Sequence, residues 1–525
     1  MTQSASPQAT NGKPGPMLAA DGTPLKRSLA RALRRQKMRA LLLIAPLLLF
    51  VLITFIAPIA DMLFRSVENQ IVEETLPETV PLLQQWDHDA SELPPEPVWT
   101  AFYIDLVLAE ERKLHTRLGS RLNYEMTGLS SLFRRTGRAV GRFDTDTYTD
   151  QFTALDPTWE DAATWVAMFE DDTIREALPL TARTWDRWAD YLVTDEGDNP
   201  AEEDVEDFLF TALYTDLTRD GVSVTGTTPR LQQAAGAVGD FETVSIMAQF
   251  EDADDDWVNP EVMRTIQTYS PSYTSGYFLN AVDMQLTPEG VEAREENQRI
   301  YGLLFKRTIF MSLTITLSCI LLGYPVAWIL ANLPMRTSNL LMILVLLPFW
   351  TSLLVRTSAW KVMLQQQGVI NDVLVWLGLV NDADRLVMIN NQFGTIVAMT
   401  HILLPFMILP MYSVMQTIPP SYLRAAKSLG ATNWTAFWRV YFPQSVPGIG
   451  AGSILVFILS IGYYITPEIV GGTTGTFISN RIAYHISSSL NWGLGAALGA
   501  ILLAVVLLLY WAYDKIVGID NVKLG

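Results

Sequence analysis

The sequence predicts an all-α polytopic membrane protein that carries a mainly helical soluble insertion domain between its first and second spans. Three observations support this fold class: apolar runs of about 20 residues, basic residues between alternate runs, and one large acidic block. A helix of about 20 residues crosses the roughly 30 Å hydrocarbon core of a bilayer. Six runs are therefore predicted to be transmembrane helices, namely residues 41–64, 309–333, 340–360, 394–415, 446–466 and 494–513.

A strongly basic stretch precedes the first run. Lys and Arg occupy seven positions from Lys26 to Arg39, and such a flank stays on the cytoplasmic side. A secretory signal peptide is the alternative, but the run exceeds an ordinary h-region and no small-residue cleavage pattern precedes Asp61. We expect an uncleaved anchor after a disordered and basic tail over residues 1–40. Alternation of six spans then puts the N- and C-termini in the cytoplasm.

Residues 66–300, here called the acidic region, contain most of the acidic side chains. They hold 47 Asp and Glu against 16 Lys and Arg, in a chain whose formal net charge is -18. The alternation of spans puts this region outside the cytoplasm. Its apolar residues recur at helical spacing, which predicts a mainly helical fold. Seven tryptophans are expected in its core: Trp86, Trp99, Trp159, Trp165, Trp185, Trp188 and Trp257.

The sequence does not support catalytic or metal chemistry. Cys319 is the only cysteine, and the four histidines are far apart with no HExxH pair. The acidic run 251–256 lacks the glycine and terminal glutamate of a calcium-binding EF-hand. A phosphate-binding GxxxxGK[ST] loop is also absent from the sequence. We therefore expect no catalytic residue, no metal site, no cofactor in this chain and no nucleic-acid partner.

The loop between the fourth and fifth runs has more pattern than a connector needs. Ser421 is expected to cap a short helix, and Gly430 to end it in the left-handed conformation. Thr432 or Asn433 is expected to cap a second short helix. Apolar residues give each helix an amphipathic face. The prediction for residues 421–443 is a knob that fits a groove on another protein.

Six residues of this loop form a spaced pattern: Ala425, Ala426, Leu429, Gly430, Ala431 and Pro443. The pattern resembles the EAA loop of binding-protein-dependent ABC importers. Arg424 departs from it, because the family usually has a glutamate at this position. Residues 346–379, 390–416 and 463–472 resemble spermidine/putrescine-type permeases, and the likeness covers the permease core over residues 303–525. The acidic region lies outside the resemblance and is an insertion relative to the family.

The resemblance implies a transport subunit of an ATP-driven importer in the bacterial cytoplasmic (inner) membrane. The implied partners are an ABC ATPase dimer that binds ATP and Mg, a second permease subunit, an extracytoplasmic substrate-binding protein and the lipid bilayer. The implied cargo is a small cation such as a polyamine, and an opine, an amino-acid derivative or a ferric ion is the alternative. A membrane receptor with an extracellular sensing domain is a further alternative, although the sequence contains no signalling module.

Polar and aromatic residues at membrane depth are candidates for the substrate pathway, because they normally face the interior of a helix bundle. Glu468 follows Tyr463 and Tyr464, and a carboxylate near aromatic faces suits an ammonium group. Trp350 and Trp360 are weaker candidates. Arg356 is expected to orient an outer loop through an ion pair, and His401 to make a hydrogen-bonded contact between helices.

Overall fold

The computed structural model describes residues 25–517. These residues form two units, and the boundary in the sequence lies between Phe64 and Arg65. The first unit is an apolar helix that is long enough to cross a membrane. It begins at Leu25, so residues 25–40 are helical rather than disordered, and the rest of the predicted tail lies outside the described residues. Its segments are α1 (Leu25–Val51), a π-helical turn (Leu52–Ile56) and α2 (Ala57–Arg65).

The acidic region is built from short helices around a large aromatic core. All seven of its tryptophans are at most 7% exposed, as expected. A single hairpin supplies the strands, with Met284 paired to Ala293 and Thr287 to Gly290. The elements are α3 (Gln70–Thr75), α4 (Thr79–Leu83), α5 (Glu96–Glu111), α6 (Leu114–Leu122), α7 (Leu129–Gly137), α8 (Asp146–Leu155), α9 (Ala162–Phe169), α10 (Asp172–Ala177), α11 (Pro179–Tyr191), α12 (Asp207–Leu217), α13 (Pro229–Ala237), α14 (Ile246–Ala253), α15 (Pro260–Thr268), α16 (Gly276–Ala281), β1 (Met284–Thr287) and β2 (Gly290–Ala293).

The acidic region is a tandem repeat, which our prediction from the sequence did not include. The segment TAFYIDL at 100–106 recurs as TALYTDL at 211–217, and AVGRF at 139–143 recurs as AVGDF at 237–241. The same contacts recur with them. Asp105 accepts hydrogen bonds from the backbone nitrogen and hydroxyl of Thr79 at 2.8 and 2.7 Å. Asp216 accepts the same pair from Thr181 at 2.7 and 2.8 Å. Helices α3–α9 therefore correspond to α10–α15, and α6 has no counterpart in the second repeat.

The two repeats exchange equivalent contacts. The side chain of Gln151 accepts from the backbone nitrogen of Glu242 at 2.6 Å and donates to its carbonyl at 3.1 Å. Gln249, the equivalent residue, makes the same two bonds to the backbone of Asp144. Such reciprocity is the signature of an isologous interface. The repeats are therefore related by a local two-fold axis, like the subunits of a symmetric dimer.

The rest of the chain forms a bundle of long apolar helices. Its elements are α17 (Tyr301–Asn332), α18 (Met335–Leu346), α19 (Leu353–Met363), α20 (Val369–Trp376), α21 (Gln392–Gln416), α22 (Pro420–Ser428), α23 (Asn433–Ala436), α24 (Phe442–Gly462), α25 (Ile465–Val470), α26 (Gly472–Gly475), α27 (Ile478–Ser487) and α28 (Trp492–Val517).

Contacts between the long helices give their directions. Along α17, Cys319 contacts the carbonyl of Thr400 and Gly323 lies against Ile408, so α17 and α21 run parallel. Gly448 lies against Met411 and Gly452 against Met407, so α24 runs antiparallel to α21. The start of α28 packs beside the start of α17, where Leu494 and Leu498 share a buried cluster with Tyr301 and Leu304.

The third predicted span is not one continuous helix. A bend of 93° separates Met335–Trp350 from Leu353–Met363, so the span predicted over 340–360 consists of two helices. The two pieces nevertheless progress along α21 in one direction, because Phe349 contacts Phe406 while Trp360 contacts His401. This order is that of one broken crossing. Within the described residues, five helices are long and apolar enough to span a membrane, and this bent pair makes up to six.

The acidic region is joined firmly to the end of the bundle where α17 and α28 begin. The Asp283 carboxylate accepts hydrogen bonds from the backbone nitrogens of Ile300, Tyr301 and Gly302 at 2.7–3.0 Å. A carboxylate at this position stabilises a helix N-terminus. Tyr277 of α16 packs into the same buried cluster as the first turns of α17 and α28. The loop after α21 consequently lies at the opposite end of the bundle from the acidic region.

Candidate functional site

The coupling segment, residues 421–443, has a helix, a tight turn and the start of a second helix. Gly430 has φ +90, and its backbone nitrogen donates to Lys427 while that of Ala431 donates to Ala426. This pair of bonds closes a helix end that requires a left-handed residue. The predicted role of Gly430 at the end of the helix is therefore confirmed. Thr432 accepts from the backbone nitrogen of Thr435 at 3.2 Å and is the cap of the second helix.

Ser421 is not the cap of the first helix, contrary to our expectation. A Ser421 cap would start the helix at Tyr422, but the helix begins two residues earlier, at Pro420, and Pro419 precedes it in extended conformation. A proline is favoured at the first helical position, because it has no N–H to satisfy and its φ is already helical. The two prolines therefore determine where the helix starts, and Ser421 lies inside its first turn.

The outer surface of the coupling segment is apolar and basic. Leu429 is 88% exposed and Trp434 is 72% exposed, which is unusual for side chains of this size outside a lipid-facing surface. The cations Arg424, Lys427 and Arg439 are exposed around them. An apolar patch rimmed by polar residues is typical of a protein interaction site. Ala425 is exposed and Ala426 is half-buried, so the two small residues leave room for a close partner.

The inner side of the coupling segment is packed on the bundle. Leu423 and Phe437 lie against its buried cluster, and the hydroxyl of Tyr324 lies 3.0 Å from that of Ser445. The second helix continues through a π-helical turn (Phe437–Tyr441) directly into α24. Pro443 follows that turn and lacks the N–H that would bond to the carbonyl four residues earlier. A force on the segment is therefore transmitted to α24 without an intervening loop.

Glu468 lies at the other end of the bundle and is exposed. Its carboxylate accepts a hydrogen bond from Asn480 at 2.6 Å, and Asn480 also donates to the carbonyl of Tyr464 at 2.9 Å. Ser479 donates to the carbonyl of Tyr463 at 2.7 Å. Helix α27 thus holds the turn that carries Glu468. The hydrogen-bond partner of the Glu468 carboxylate is therefore the side-chain amide of Asn480. This amide also binds the backbone carbonyl of Tyr464, and it does not contact the Tyr464 ring.

The other pathway candidates divide into two places. Trp360 donates from its indole nitrogen to His401 at 3.1 Å, so the expected contact of His401 between helices is confirmed. Arg356 lies within electrostatic range of both His401 and Tyr463. Trp350 is 85% exposed and makes no ring contact with them in the described chain.

Within the described residues, Arg356 makes no ion pair, in contrast to our expectation. Two of its guanidinium nitrogens, Nε and Nη1, are buried and have no hydrogen-bond partner among the described residues. A charged group at membrane depth normally has a partner or faces an aqueous cavity. These two nitrogens therefore need hydrogen-bond acceptors that the described residues do not supply.

The role of Asn480 and the unpartnered nitrogens of Arg356 were not predicted. Residues 467–493 have no run long enough for a span, and we assigned no element there. The three short helices α25, α26 and α27 fill this stretch and bring Asn480 back to Glu468. A polar residue in a short amphipathic helix has no signal that distinguishes it from a solvated one. The long-range contact is what gives Asn480 its role.

Comparisons with known proteins identify the family of the helix bundle. The family model for the binding-protein-dependent transport system inner membrane component matches residues 320–517. The spermidine/putrescine transport system permease protein PotB of Escherichia coli (strain K12) is 34% identical over 220 residues, which are 41% of this chain and 79% of that protein. The PotB protein of Salmonella typhimurium (strain SL1344) is also 34% identical, over 41% of this chain and 76% of its own length.

A third relative has a less specific description. The inner membrane ABC transporter permease protein YdcU of Escherichia coli (strain K12) is 31% identical over 47% of this chain and 80% of its own length. The crystal structure of a bacterial ABC transporter involved in the import of the acidic polysaccharide alginate has a TM-score of 0.35 and 21% identity, over 41% of this chain and 79% of that one. A TM-score this low supports no statement about this chain.

The extent of identity to PotB and the family-model match decide the assignment. Each of these relatives is more than 30% identical and is matched over more than two thirds of its own length. The matched residues 320–517 contain most of the bundle, the coupling segment and Glu468, whereas the acidic region lies outside the family-model match. The chain therefore belongs to the permease subunits of binding-protein-dependent ABC importers, and within them to the spermidine/putrescine type.

Proposed function

We propose that this permease is driven by a separate ABC ATPase dimer that engages the coupling segment at the cytoplasmic side. The support is the exposed apolar and basic surface around Leu429 and Trp434, together with the direct continuation of this segment into α24. ATP and Mg bind to the ATPase in this proposal, and the roles proposed for Arg424, Ala425, Ala426, Leu429, Gly430, Ala431 and Pro443 are mechanical.

The orientation we propose puts both termini and the coupling segment in the cytoplasm and the acidic region outside it. The support is twofold. The acidic region and the coupling segment lie at opposite ends of the bundle, and basic residues flank the first span on its N-terminal side. A substrate-binding protein would then dock at the end that carries the acidic region, and a second permease subunit would complete the pathway.

We propose a small organic cation of the polyamine class as the cargo. The supporting observations are the relationship to spermidine/putrescine permeases and the exposed carboxylate of Glu468, whose bond to Asn480 leaves its second oxygen available. A carboxylate at the mouth of a pathway binds ammonium groups through charge-assisted hydrogen bonds. The strongly negative acidic region would raise the local concentration of such cations.

Uptake of radiolabelled spermidine and putrescine by the assembled importer tests this cargo. We expect Glu468→Gln to raise KM about tenfold, since the loss of one charged contact of about 1.4 kcal/mol corresponds to that factor. The matched control is Glu289→Gln, an exposed acid in the turn between β1 and β2. An unchanged KM in Glu468→Gln, or an equal change in the control, would remove Glu468 from the pathway.

A zwitterionic amino-acid derivative is the second candidate cargo, and Arg356 is the observation that favours it. Its buried guanidinium nitrogens have no hydrogen-bond acceptor among the described residues, and a cargo carboxylate would supply one. The two candidates differ in what the variant Arg356→Gln should do. Uptake of a polyamine should survive this substitution, whereas uptake of a carboxylate-bearing cargo should be lost.

A further inference from the structure

A cavity of about 500 Å³ lies where the acidic region joins the bundle. Its walls come from α3, from α6 and from the residues just before α28, and Tyr277 forms part of one side. This place is far from the coupling segment, and neither Glu468 nor Arg356 lines it. The cavity therefore belongs to neither of the sites described above.

The charge of the cavity is opposite to that of the region around it. Three arginines line it, Arg65, Arg117 and Arg121, against one acid, Glu68. The acidic region as a whole has almost three acids for each base. Both Arg117 and Arg121 lie on α6, the helix that the second repeat lacks. The one element that breaks the repeat thus supplies a local positive surface.

Arg121 is held rigidly with one donor unused. The side chain is 7% exposed. Its Nε donates to the hydroxyl of Tyr277 at 2.8 Å and its Nη1 to Glu125 at 2.6 Å. Its guanidinium also lies 4.5 Å from the centre of the Tyr277 ring. The remaining nitrogen, Nη2, is buried and has no partner in the described chain. A buried guanidinium donor without an acceptor is costly, so this arrangement favours an acceptor supplied from outside the chain.

The charge of Arg121 is only partly neutralised by the protein. The Glu125 carboxylate pairs with Arg121 at 2.6 Å and with Arg294 at 3.4 Å, so one negative charge faces two positive ones. Arg117 is exposed on the neighbouring turn of α6 and makes no ion pair within the described residues. The ring of Tyr277 is tightly packed against Gly493, because a Cβ at this glycine would lie 2.4 Å from the tyrosine ring.

The rim of the cavity is suited to the surface of a bilayer. Leu490 is 65% exposed and Trp492 is 50% exposed, and Trp492 is the first residue of the apolar helix α28. Tryptophan is enriched where a transmembrane helix enters the headgroup layer. The cavity lies at this end of α28, and basic pockets beside transmembrane helices bind anionic headgroups.

We infer that this cavity binds the phosphate of a net anionic phospholipid headgroup, with Arg117 and Arg121 as the recognising side chains. Arg117 can offer a phosphate two parallel N–H donors, and Arg121 adds its one unpartnered nitrogen, Nη2. The lipid would fix the acidic region to the bundle at the membrane surface. The inference requires only that the bundle spans a membrane and does not depend on the cargo.

Thermal unfolding of the purified full-length chain in detergent tests the inference. Added phosphatidylglycerol should raise the unfolding midpoint by about 5 °C, as expected for a ligand well above its dissociation constant, and phosphatidylcholine should not. Arg117→Gln should remove at least half of this shift. The matched control is Arg134→Gln, since Arg134 is an exposed arginine on α7 that does not line the cavity; its shift should stay unchanged.

Two outcomes would contradict the inference. Equal shifts in Arg117→Gln and Arg134→Gln would overturn the site. An equal shift with inorganic phosphate at the same concentration would overturn the lipid as the source, since the cavity would then be a site for free phosphate. If Arg121→Gln fails to fold, Arg117→Gln still decides the result, because Arg117 is exposed and contributes nothing to the buried contacts of Arg121 with Tyr277.

Discussion

Gly430 is the residue on which the shape of the coupling segment depends. Its φ of +90 is a conformation that a β-branched residue adopts only at a cost of about 1–2 kcal/mol or more, and nothing lies within 4 Å of the position of its missing Cβ. The requirement is therefore one of backbone conformation and not of space. A larger side chain should displace Leu429 and Trp434 relative to each other.

We predict that Gly430→Val lowers the amount of ATPase that co-purifies with the permease about tenfold, while the permease content of the membrane stays constant. Gly226→Val is the matched control, because Gly226 has φ +88, has equally open surroundings and lies in the acidic region. Backbone strain is equal in the two variants, so only Gly430→Val should affect coupling. Loss of ATPase in both variants would show that the effect is general destabilisation.

Arg424 differs from the family pattern in charge, and the shape of the coupling segment does not depend on it. The residue is exposed within α22, and the hydrogen bonds that end this helix at Gly430 do not involve its side chain. The shape of the segment therefore survives the replacement of the usual glutamate. What changes is the charge that the segment presents to its partner.

The repeated elements of the acidic region make a prediction at the scale of secondary structure. Gln151 and Gln249 bridge the two repeats through equivalent bonds to backbone groups. Each should therefore contribute similarly to stability, and Gln151→Ala and Gln249→Ala should each lower the free energy of unfolding by about 1 kcal/mol. Denaturant unfolding followed by tryptophan fluorescence measures this value.

Gln233→Ala is the control for this pair, since Gln233 makes only one long bond of 3.4 Å to the carbonyl of Leu155. A surface change of this kind should stay within about 0.5 kcal/mol. A loss in only one of the two bridging variants would argue against the local two-fold relationship between the repeats.

Elements differ in how well the sequence predicts them. Composition alone locates the long apolar helices, because burial in lipid requires about 20 apolar residues whatever the neighbours are. The 93° break between Trp350 and Leu353 follows from packing against α21, which no local pattern specifies. The helix α22 starts two residues before the start that a Ser421 cap predicts, because Pro420 takes the first helical position. The internal repeat was present in the sequence and needed only a comparison of 100–106 with 211–217.

The residues of the candidate sites also differ in how well the sequence predicts them. Gly430 and Thr432 act through local backbone geometry, which residue type largely determines, and both expectations were confirmed. Glu468, Arg356 and Arg121 act through partners far away in sequence. Their neighbours Asn480, His401 and Tyr277 come from helices whose positions only the folded chain establishes.

The whole molecule places a negatively charged domain and a basic segment at opposite ends of one bundle. The acidic region is fixed to the first turns of α17 and α28 through Asp283 and Tyr277, whereas the coupling segment continues into α24. These are different helices of the bundle. In the proposed orientation, a movement of α24 driven from the cytoplasm would reach the acidic region through α17, since Tyr324 of α17 contacts Ser445 of α24.

The proposed orientation predicts which surfaces a membrane-impermeant maleimide reaches in spheroplasts. Cys319 is the only cysteine and is buried, so Cys319→Ser provides a background without reactive thiols. Val193→Cys, at a site that is 57% exposed in the acidic region, should be labelled in intact spheroplasts. Met335→Cys, at a site that is 72% exposed at the start of α18, should be labelled only after lysis, because this turn lies at the end of the bundle that carries the coupling segment.

Val291→Cys, 54% exposed in β2, is a second probe of the acidic side and should behave like Val193→Cys. The reverse pattern would invert the topology and place the ATPase contact elsewhere, and labelling of all three sites in intact spheroplasts would mean that the α17–α18 turn is not cytoplasmic.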